Sequence, residues 1–292
     1  IIHEWGHYFE DNLSRTDSIG GEHGSGDELD FRVAFGEGWG NAIAAIITDD
    51  SVYKDSSGTS QQEGFFIDIE DNRISNSGWY NEASIQSIMY DLYDSDRDGV
   101  DNISLGLAPL YSVLVSGSYR AMPFFTSIYS FIDELKLQQP AQFSEIDDLV
   151  RNQNIFGYGP LGEYEINDGG IPSVLPIYRM AEVNDVDTSG FCSVVEAGFN
   201  NKLGNTIFVT FEVFESGLHQ ILVTQLERTN FVVDVDFLIV GSGLFKRKAE
   251  SPVLGSEELT LNLDNGRYGV AIYAYEGRRD VCFDLKISKV SR

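Results

Sequence analysis

Two histidines stand four residues apart at the start of the chain, with a glutamate beside the first: His3, Glu4 and His7 in HEWGH. On a helix, side chains at i and i+4 lie on one face a turn apart, so both imidazoles can reach one ion. Imidazole nitrogens suit zinc, and a carboxylate at the position of Glu4 can accept a proton from a water that zinc polarises. The alternative is two unrelated surface histidines on a helix.

A catalytic zinc site needs a third protein ligand, and the segment FGEGWGNAIAAIITDD offers one. Its apolar end predicts a buried helix that begins at Asp30. Gly36, Gly38 and Gly40 stand near the front of this helix, although each glycine costs a helix about 1 kcal/mol relative to alanine. We interpret them as room for the close approach of a second helix, with Glu37 as the third ligand. The alternative is a flexible glycine-rich loop with a solvated glutamate.

HEWGH, followed further along by GEGWGN, resembles the gluzincin zinc metallopeptidases, and most of all the fungalysin-type branch, whose second motif reads EGWSD. The resemblance covers about residues 1–95. It implies zinc as the cofactor, peptide-bond hydrolysis as the activity and Glu37 as a ligand. It also places Asn41 where that family has an aspartate that hydrogen-bonds a ligand histidine. Because asparagine is uncharged, we expect it to raise the basicity of that histidine less than an aspartate would.

Related enzymes stabilise the oxyanion with a histidine or tyrosine that follows the glutamate ligand. The matching stretch, SGWYNEASIQSIMYDLY, contains no histidine, so Tyr80 is one candidate and His23, in GGEHGSGDELD, is the other. For His23 the alternative is an ordinary loop histidine. The family's substrate-binding sheet precedes the first motif. We therefore expect this chain, which opens at Ile1, to be a fragment that retains the ligands and has weak activity or none by itself.

A second candidate metal site lies in DSDRDGVDN. Asp94, Asp96 and Asp98 alternate before Gly99, as do the first ligands of an EF-hand calcium loop. The position that an EF-hand fills with glutamate is Leu105 in this chain. Calcium binding is therefore one interpretation, and a solvated acidic loop is the other.

The periodicity of the sequence changes near residue 185. Before it, SIQSIMYDL has helical spacing, and AMPFFTSIYSFIDELK predicts a helix with Pro123 in its first turn. In SEIDDLV, Ser144 with Asp147 three residues later comes close to a capping box and predicts a helix start. The glycine- and proline-rich stretch that follows is typical of a long connection. After it, ELTLNL, RYGVAIYAY and VCFDLKI alternate with the period of strands.

The predicted fold class is therefore α+β and multidomain. Residues 1–182 would form a mainly helical zincin subdomain without the N-terminal half of its catalytic domain, and residues 183–292 an antiparallel, jelly-roll-like β-sandwich. The C-terminal run, with DVD before a strand and a Gly-Arg-Tyr turn into another, resembles the pre-peptidase C-terminal domain of secreted bacterial peptidases. That resemblance implies an accessory role without catalysis.

The cysteines and the net charge limit the cellular compartment of the protein and the classes of partner that it can bind. Cys192 and Cys282 lie in strand-like runs and predict a cross-strand disulfide in an oxidising compartment; free thiols in a reducing cytosol are the alternative. The formal net charge of −26 disfavours nucleic acid and anionic lipid as partners, and no apolar run approaches the length of a membrane span. We expect a secreted, extracellular bacterial protein.

These patterns predict a secreted zinc metalloendopeptidase that acts on protein or peptide substrates. One alternative is a catalytically inactive, metallopeptidase-like binding or scaffold protein. The other is an aminopeptidase of the same clan, which needs a carboxylate for the free amine of the substrate. The sequence leaves cleavage specificity, natural substrate and oligomeric state open.

Overall fold

The computed structural model describes residues 1–70, 76–96, 102–184, 190–226, 231–275 and 277–290. The chain divides into two compact units, which are Ile1–Arg120 with Thr126–Pro160, and Ala121–Phe125 with Leu161–Arg292. The boundary expected between residues 182 and 183 lies inside the second unit, because the chain from Leu161 onward belongs to that unit rather than to a connection.

The described residues of the first unit are mainly helical and also form a β-hairpin. Its helices are α1 (Ile2–Leu13), α2 (Phe31–Thr48), α3 (Glu82–Asp91), α4 (Leu107–Val115), α5 (Gly117–Arg120), α6 (Ile128–Gln138) and α7 (Phe143–Asn152). The hairpin consists of antiparallel strands β1 (Val52–Ser57) and β2 (Glu63–Asp68). Among the described residues, no helix is both long and apolar enough to cross a membrane.

Helix α2 is the buried centre of this unit. It is apolar nearly all round, which is typical of a helix with neighbours on every side. The side chain of Asp30 caps it by accepting a hydrogen bond from the Arg32 N–H, so the predicted start is confirmed. Helix α1 crosses α2 closely at two glycines: a β-carbon on Gly6 would lie 3.3 Å from the Cα atom of Gly40.

Two predicted helix starts are wrong. Helix α6 begins at Ile128, where Ser127 accepts a hydrogen bond from the Ser130 N–H, whereas Pro123 lies outside any helix in the segment that joins the second unit. Ser144 lies inside α7 rather than at its N-cap, because the preceding 3-10 turn over Pro140–Gln142 already directs the chain into the helix. The sequence signals at Pro123 and Ser144 did not indicate the Ser127 cap of α6 or the 3-10 turn before α7.

The second unit is a sandwich of two sheets. A five-stranded sheet has the order β3-β5-β10-β7-β8 and a four-stranded sheet the order β4-β11-β6-β9. The strands are β3 (Tyr178–Met180), β4 (Phe191–Ser193), β5 (Ile207–Val213), β6 (Gly217–Gln225), β7 (Val235–Gly241), β8 (Phe245–Ala249), β9 (Ser256–Leu263), β10 (Gly266–Ala274) and β11 (Val281–Lys289).

The inner faces of the two sheets form one apolar core, with Phe211, Phe237 and Phe283 among its largest members. The predicted alternation is confirmed in β11, whose buried positions recur at every second residue. Within the described strands, the sandwich departs from the expected antiparallel pattern where β3 pairs parallel with β5. The fold class, α+β, agrees with the prediction.

The disulfide prediction is confirmed. Cys192 on β4 is the register partner of Cys282 on β11, and their sulfur atoms are bonded. The bond links residues 90 positions apart in the sequence and ties the short strand β4 to the long strand β11.

Candidate metal centre

Three of the predicted ligands converge between α1 and α2. The Nε2 atom of His3 lies 3.0 Å from Nε2 of His7, and each of these nitrogens lies 3.2 Å from Oε2 of Glu37. Donors that surround zinc tetrahedrally at about 2.0–2.1 Å stand about 3.3–3.4 Å from one another. The three atoms therefore have the spacing that a single ion requires. Within the described ranges, they form the only such group of three histidine, cysteine or acidic side chains.

The glycines of α2 make this convergence possible. A β-carbon on Gly40 would lie 2.9 Å from the Cε1 and Nδ1 atoms of His3, and one on Gly38 would lie 2.5 Å from Cβ of Ile85. Side chains at these positions would push α1 and α3 away from α2. A β-carbon on Gly36 would find its nearest neighbour at 3.6 Å, which is ordinary contact. Two of the three glycines are therefore required by close approach.

Both histidines of this triangle, His3 and His7, have a partner at the other ring nitrogen. Nδ1 of His3 lies 2.9 Å from Oδ1 of Asn41, the residue that the sequence singled out, and the Asn41 amide donates to Oε1 of Gln86 at 2.9 Å. This second bond orients the amide so that its oxygen faces His3. With Nδ1 of His3 as the donor, Nε2 is left as the lone-pair atom that faces the centre.

The partner of His7 is a buried carboxylate that the sequence reasoning missed. Oε2 of Glu10 lies 3.4 Å from Nδ1 of His7, and Glu10 is only 1% exposed. Burial raises the pKa of Glu10 to about 7, against the opposing effect of His7. Helical spacing could have revealed it, since Glu10 follows His7 by three residues on the same face of α1.

The hydrogen bonds among these side chains shift the pKa values of His7 and Glu37 in opposite directions. Hydrogen bonds to Glu10 and then to Glu37 raise the pKa of His7 to about 10. Burial raises the pKa of Glu37, but the hydrogen bonds from His3 and His7 outweigh it and bring the value to about 2. A metal ion has to displace the proton of His7, so its binding should release protons.

A third histidine reaches the same centre from the loop between α1 and α2. Nε2 of His23 lies 3.2 Å from Oε2 of Glu37, and Nδ1 lies 2.7 Å from Oε2 of Glu82. Glu82 is buried at the start of α3. Its hydrogen bond to His23 is the largest of the effects that raise the pKa of His23. The sequence indicated His23 but carried no sign of Glu82, which is 59 residues away.

The two other catalytic candidates lie in different environments. Glu4 is exposed on α1 and follows His3 in the sequence. Tyr80 is buried, its ring packs edge-on against Trp79 at 5.3 Å, and its carbonyl accepts a hydrogen bond from the Leu29 N–H. Of the two candidates for oxyanion stabilisation, the observed contacts place His23 at the centre.

The candidate calcium loop is described only in part. The N–H of Asp96 donates to Oδ2 of Asp94 at 3.2 Å, whereas Asp98 lies outside the described residues. Calcium binding there stays a prediction.

No protein-family model and no curated protein matches the chain. The solved structures to which the chain is similar include the following three. The values in parentheses are the sequence identity, the share of this chain that is covered, the share of the other chain that is covered and the TM-score. The three structures are the pre-peptidase C-terminal domain of a collagenase from Bacillus anthracis (13%, 38%, 93%, 0.28), CBM35 from Cellvibrio japonicus Abf62 (12%, 34%, 83%, 0.20) and a family 35 carbohydrate binding module from Clostridium thermocellum (13%, 35%, 88%, 0.21). At these TM-scores none of them carries an argument about function. The observed class is an α+β chain with a β-sandwich unit and a His-His-Glu cluster.

Proposed function

We propose that the protein is a zinc metalloendopeptidase of the gluzincin type that hydrolyses peptide bonds. The observation that supports this most is the near-equilateral triangle of donor atoms from His3, His7 and Glu37. Two imidazoles and one carboxylate form a donor set that suits zinc, and three protein ligands leave a fourth position for water or substrate. The disulfide supports secretion into an oxidising compartment.

When bound, zinc would polarise the scissile carbonyl and lower the pKa of a coordinated water. The protein side chains supply the remaining steps. Glu4, exposed beside His3, accepts the proton of the attacking water and delivers it to the leaving amine. His23, held by Glu82, donates a hydrogen bond from Nε2 to the carbonyl oxygen as negative charge develops.

Single-turnover hydrolysis with excess protein tests this assignment. The substrate is a fluorogenic peptide blocked at both ends, which only an endopeptidase can use. We expect Glu4→Gln to keep one zinc per chain and to lower the rate by about 10²–10⁴-fold. Asp11→Asn, which removes one exposed carboxylate from the same helix, should leave the rate unchanged. Full turnover by the Glu4→Gln variant would remove Glu4 from the mechanism.

One observation favours a second candidate function, a binding or scaffold protein with a closed metal site. His23 already contacts Glu37, so its Nε2 atom could become a fourth ligand, and four protein ligands are typical of structural zinc. The variant His23→Ala separates the two functions. In an open catalytic site it keeps zinc affinity and loses turnover, whereas in a closed site it loses zinc affinity.

A further inference from the structure

A cavity of about 530 Å³ lies beside His3 in the first unit. Strand β1 forms one wall, because five consecutive residues, 52–56, line the cavity. Side chains of a strand alternate between its faces, so a wall built from consecutive residues includes the edge of the strand. In the described part of the chain β1 pairs with β2 alone.

The lining combines apolar and aromatic surface with carboxylates. Ile2, Ala44 and Val52 contribute aliphatic groups, and Tyr53 contributes a ring whose centroid lies 6.0 Å from that of His3. Tyr53 thus connects the cavity to the candidate metal centre. An extended side chain that enters here from a substrate at the centre would meet apolar surface first.

Two carboxylates lie at the cavity, and their charges are compensated differently. Oδ2 of Asp50 is paired with the ammonium of Lys54 at 2.8 Å. The carboxylate of Asp55 instead accepts hydrogen bonds from two uncharged donors, the Tyr53 hydroxyl at 2.9 Å and the Ser56 N–H at 2.6 Å. Burial opposes its ionisation, but these two hydrogen bonds, followed by the charges of the Ile1 amino terminus and of His3, lower the pKa of Asp55. Asp55 is therefore an exposed, ionised acceptor that lines the cavity.

We propose that this cavity binds the cationic side chain of a lysine or arginine next to the bond that is cleaved, with Asp55 as its ionic partner. The assignment rests on the proposed peptidase function. The aliphatic stem of such a side chain packs on Ala44, Val52 and the face of Tyr53, and its charged head reaches Asp55. The excess of 46 acidic over 20 basic residues also favours cationic substrates over anionic ones.

The amino terminus of a substrate carries the same charge, so the test must separate the two sources. Peptide pools blocked at both ends carry either arginine or its uncharged isostere citrulline at a central position. A third pool carries citrulline and a free amino terminus. Binding is measured by fluorescence anisotropy on the zinc-loaded Glu4→Gln variant, and hydrolysis is measured separately on the unmodified chain. The two readouts distinguish failure of the cavity assignment from failure of the peptidase assignment.

We expect the blocked arginine pool to bind at least about tenfold more tightly than the blocked citrulline pool. Adding Asp55→Asn should reduce this ratio to about one, while Asp148→Asn, an exposed carboxylate on α7, should preserve it. Equal binding of the two blocked pools would overturn the proposal. So would binding of the free-amine citrulline pool as tight as that of arginine, because the cavity would then serve an amino terminus.

Discussion

The imidazole of His3 lies against the backbone of Gly40, so that a β-carbon at position 40 would stand 2.9 Å from two ring atoms. Both residues belong to elements that the centre needs, since α1 carries the two histidines and α2 carries Glu37. The glycine that weakens α2 as a helix is therefore the residue that leaves room for the His3 ring beside Glu37.

This relationship predicts opposite results for two glycine substitutions in one helix. Alanine raises helix propensity by about 1 kcal/mol at either position. Gly40→Ala should nevertheless lower zinc affinity at least tenfold, because the methyl group displaces His3. Gly36→Ala, whose β-carbon meets Oε2 of Glu10 and Cβ of Ser18 at 3.6 Å, should leave zinc affinity unchanged.

Competition with a chromophoric chelator measures both affinities, and circular dichroism checks that both variants fold. Equal zinc affinities in the two alanine variants would show that zinc binding does not depend on the close approach of His3 to Gly40.

The parts of the centre that the sequence predicts are those carried by short-range spacing. His3 and His7 are one helical turn apart, and the glycines around Glu37 indicate close packing whatever the partner is. The alternation in β9 and β11 likewise reports which face of each strand is buried, whereas residues 268–272 of β10 are buried on both faces of that strand. Each of these signals lies within a single element, so that periodicity alone exposes it.

The parts that escaped prediction depend on contacts between distant segments. Glu82 meets His23 only because α3 packs on α2. The β1–β2 hairpin has no clear alternation, since Phe65 and Phe66 are adjacent and both exposed. The chain from Leu161 onward has the composition of a connection, and only its packing assigns it to the sandwich unit.

The buried carboxylate of Glu10 should strengthen metal binding through His7. Glu10→Gln keeps a hydrogen-bond acceptor and removes the charge, so we expect zinc affinity to fall by about 10–100-fold. Asp11→Asn removes an exposed carboxylate from the next position and serves as the control. Chelator competition compares the two variants. If they bind zinc equally well, Glu10 only fills space beneath His7.

The second unit should lose stability as the pH rises through the titration of Asp236. Burial first, and then the charges of Asp234, Glu250 and Glu257, raise the pKa of Asp236 to about 6. A carboxyl with a raised pKa binds more protons in the folded state than in the unfolded state, where its pKa is about 4. The free energy of unfolding therefore falls between about pH 4 and pH 6 and levels off above.

Asp236→Asn should remove this dependence. At pH 7 we expect the variant to be more stable than the parent by about 1–2 kcal/mol, after a discount for solvent screening, and at pH 4 nearly equal. Urea unfolding followed by the β-sheet band in circular dichroism makes the comparison. Fluorescence reports the first unit separately, because Trp5, Trp39 and Trp79 all lie there. If the variant were less stable than the parent at pH 7, the predicted sign of the change in the free energy of unfolding would be wrong.

X-ray absorption at the zinc edge, on protein loaded with one equivalent of zinc, tests the central claim most directly. The account predicts a first shell of two imidazole nitrogens and one carboxylate oxygen at about 2.0–2.2 Å, completed by one light atom from water, and loss of stoichiometric zinc in His7→Ala and Glu37→Gln. Failure of the chain to retain zinc, or a shell that is unchanged in both variants, would contradict it.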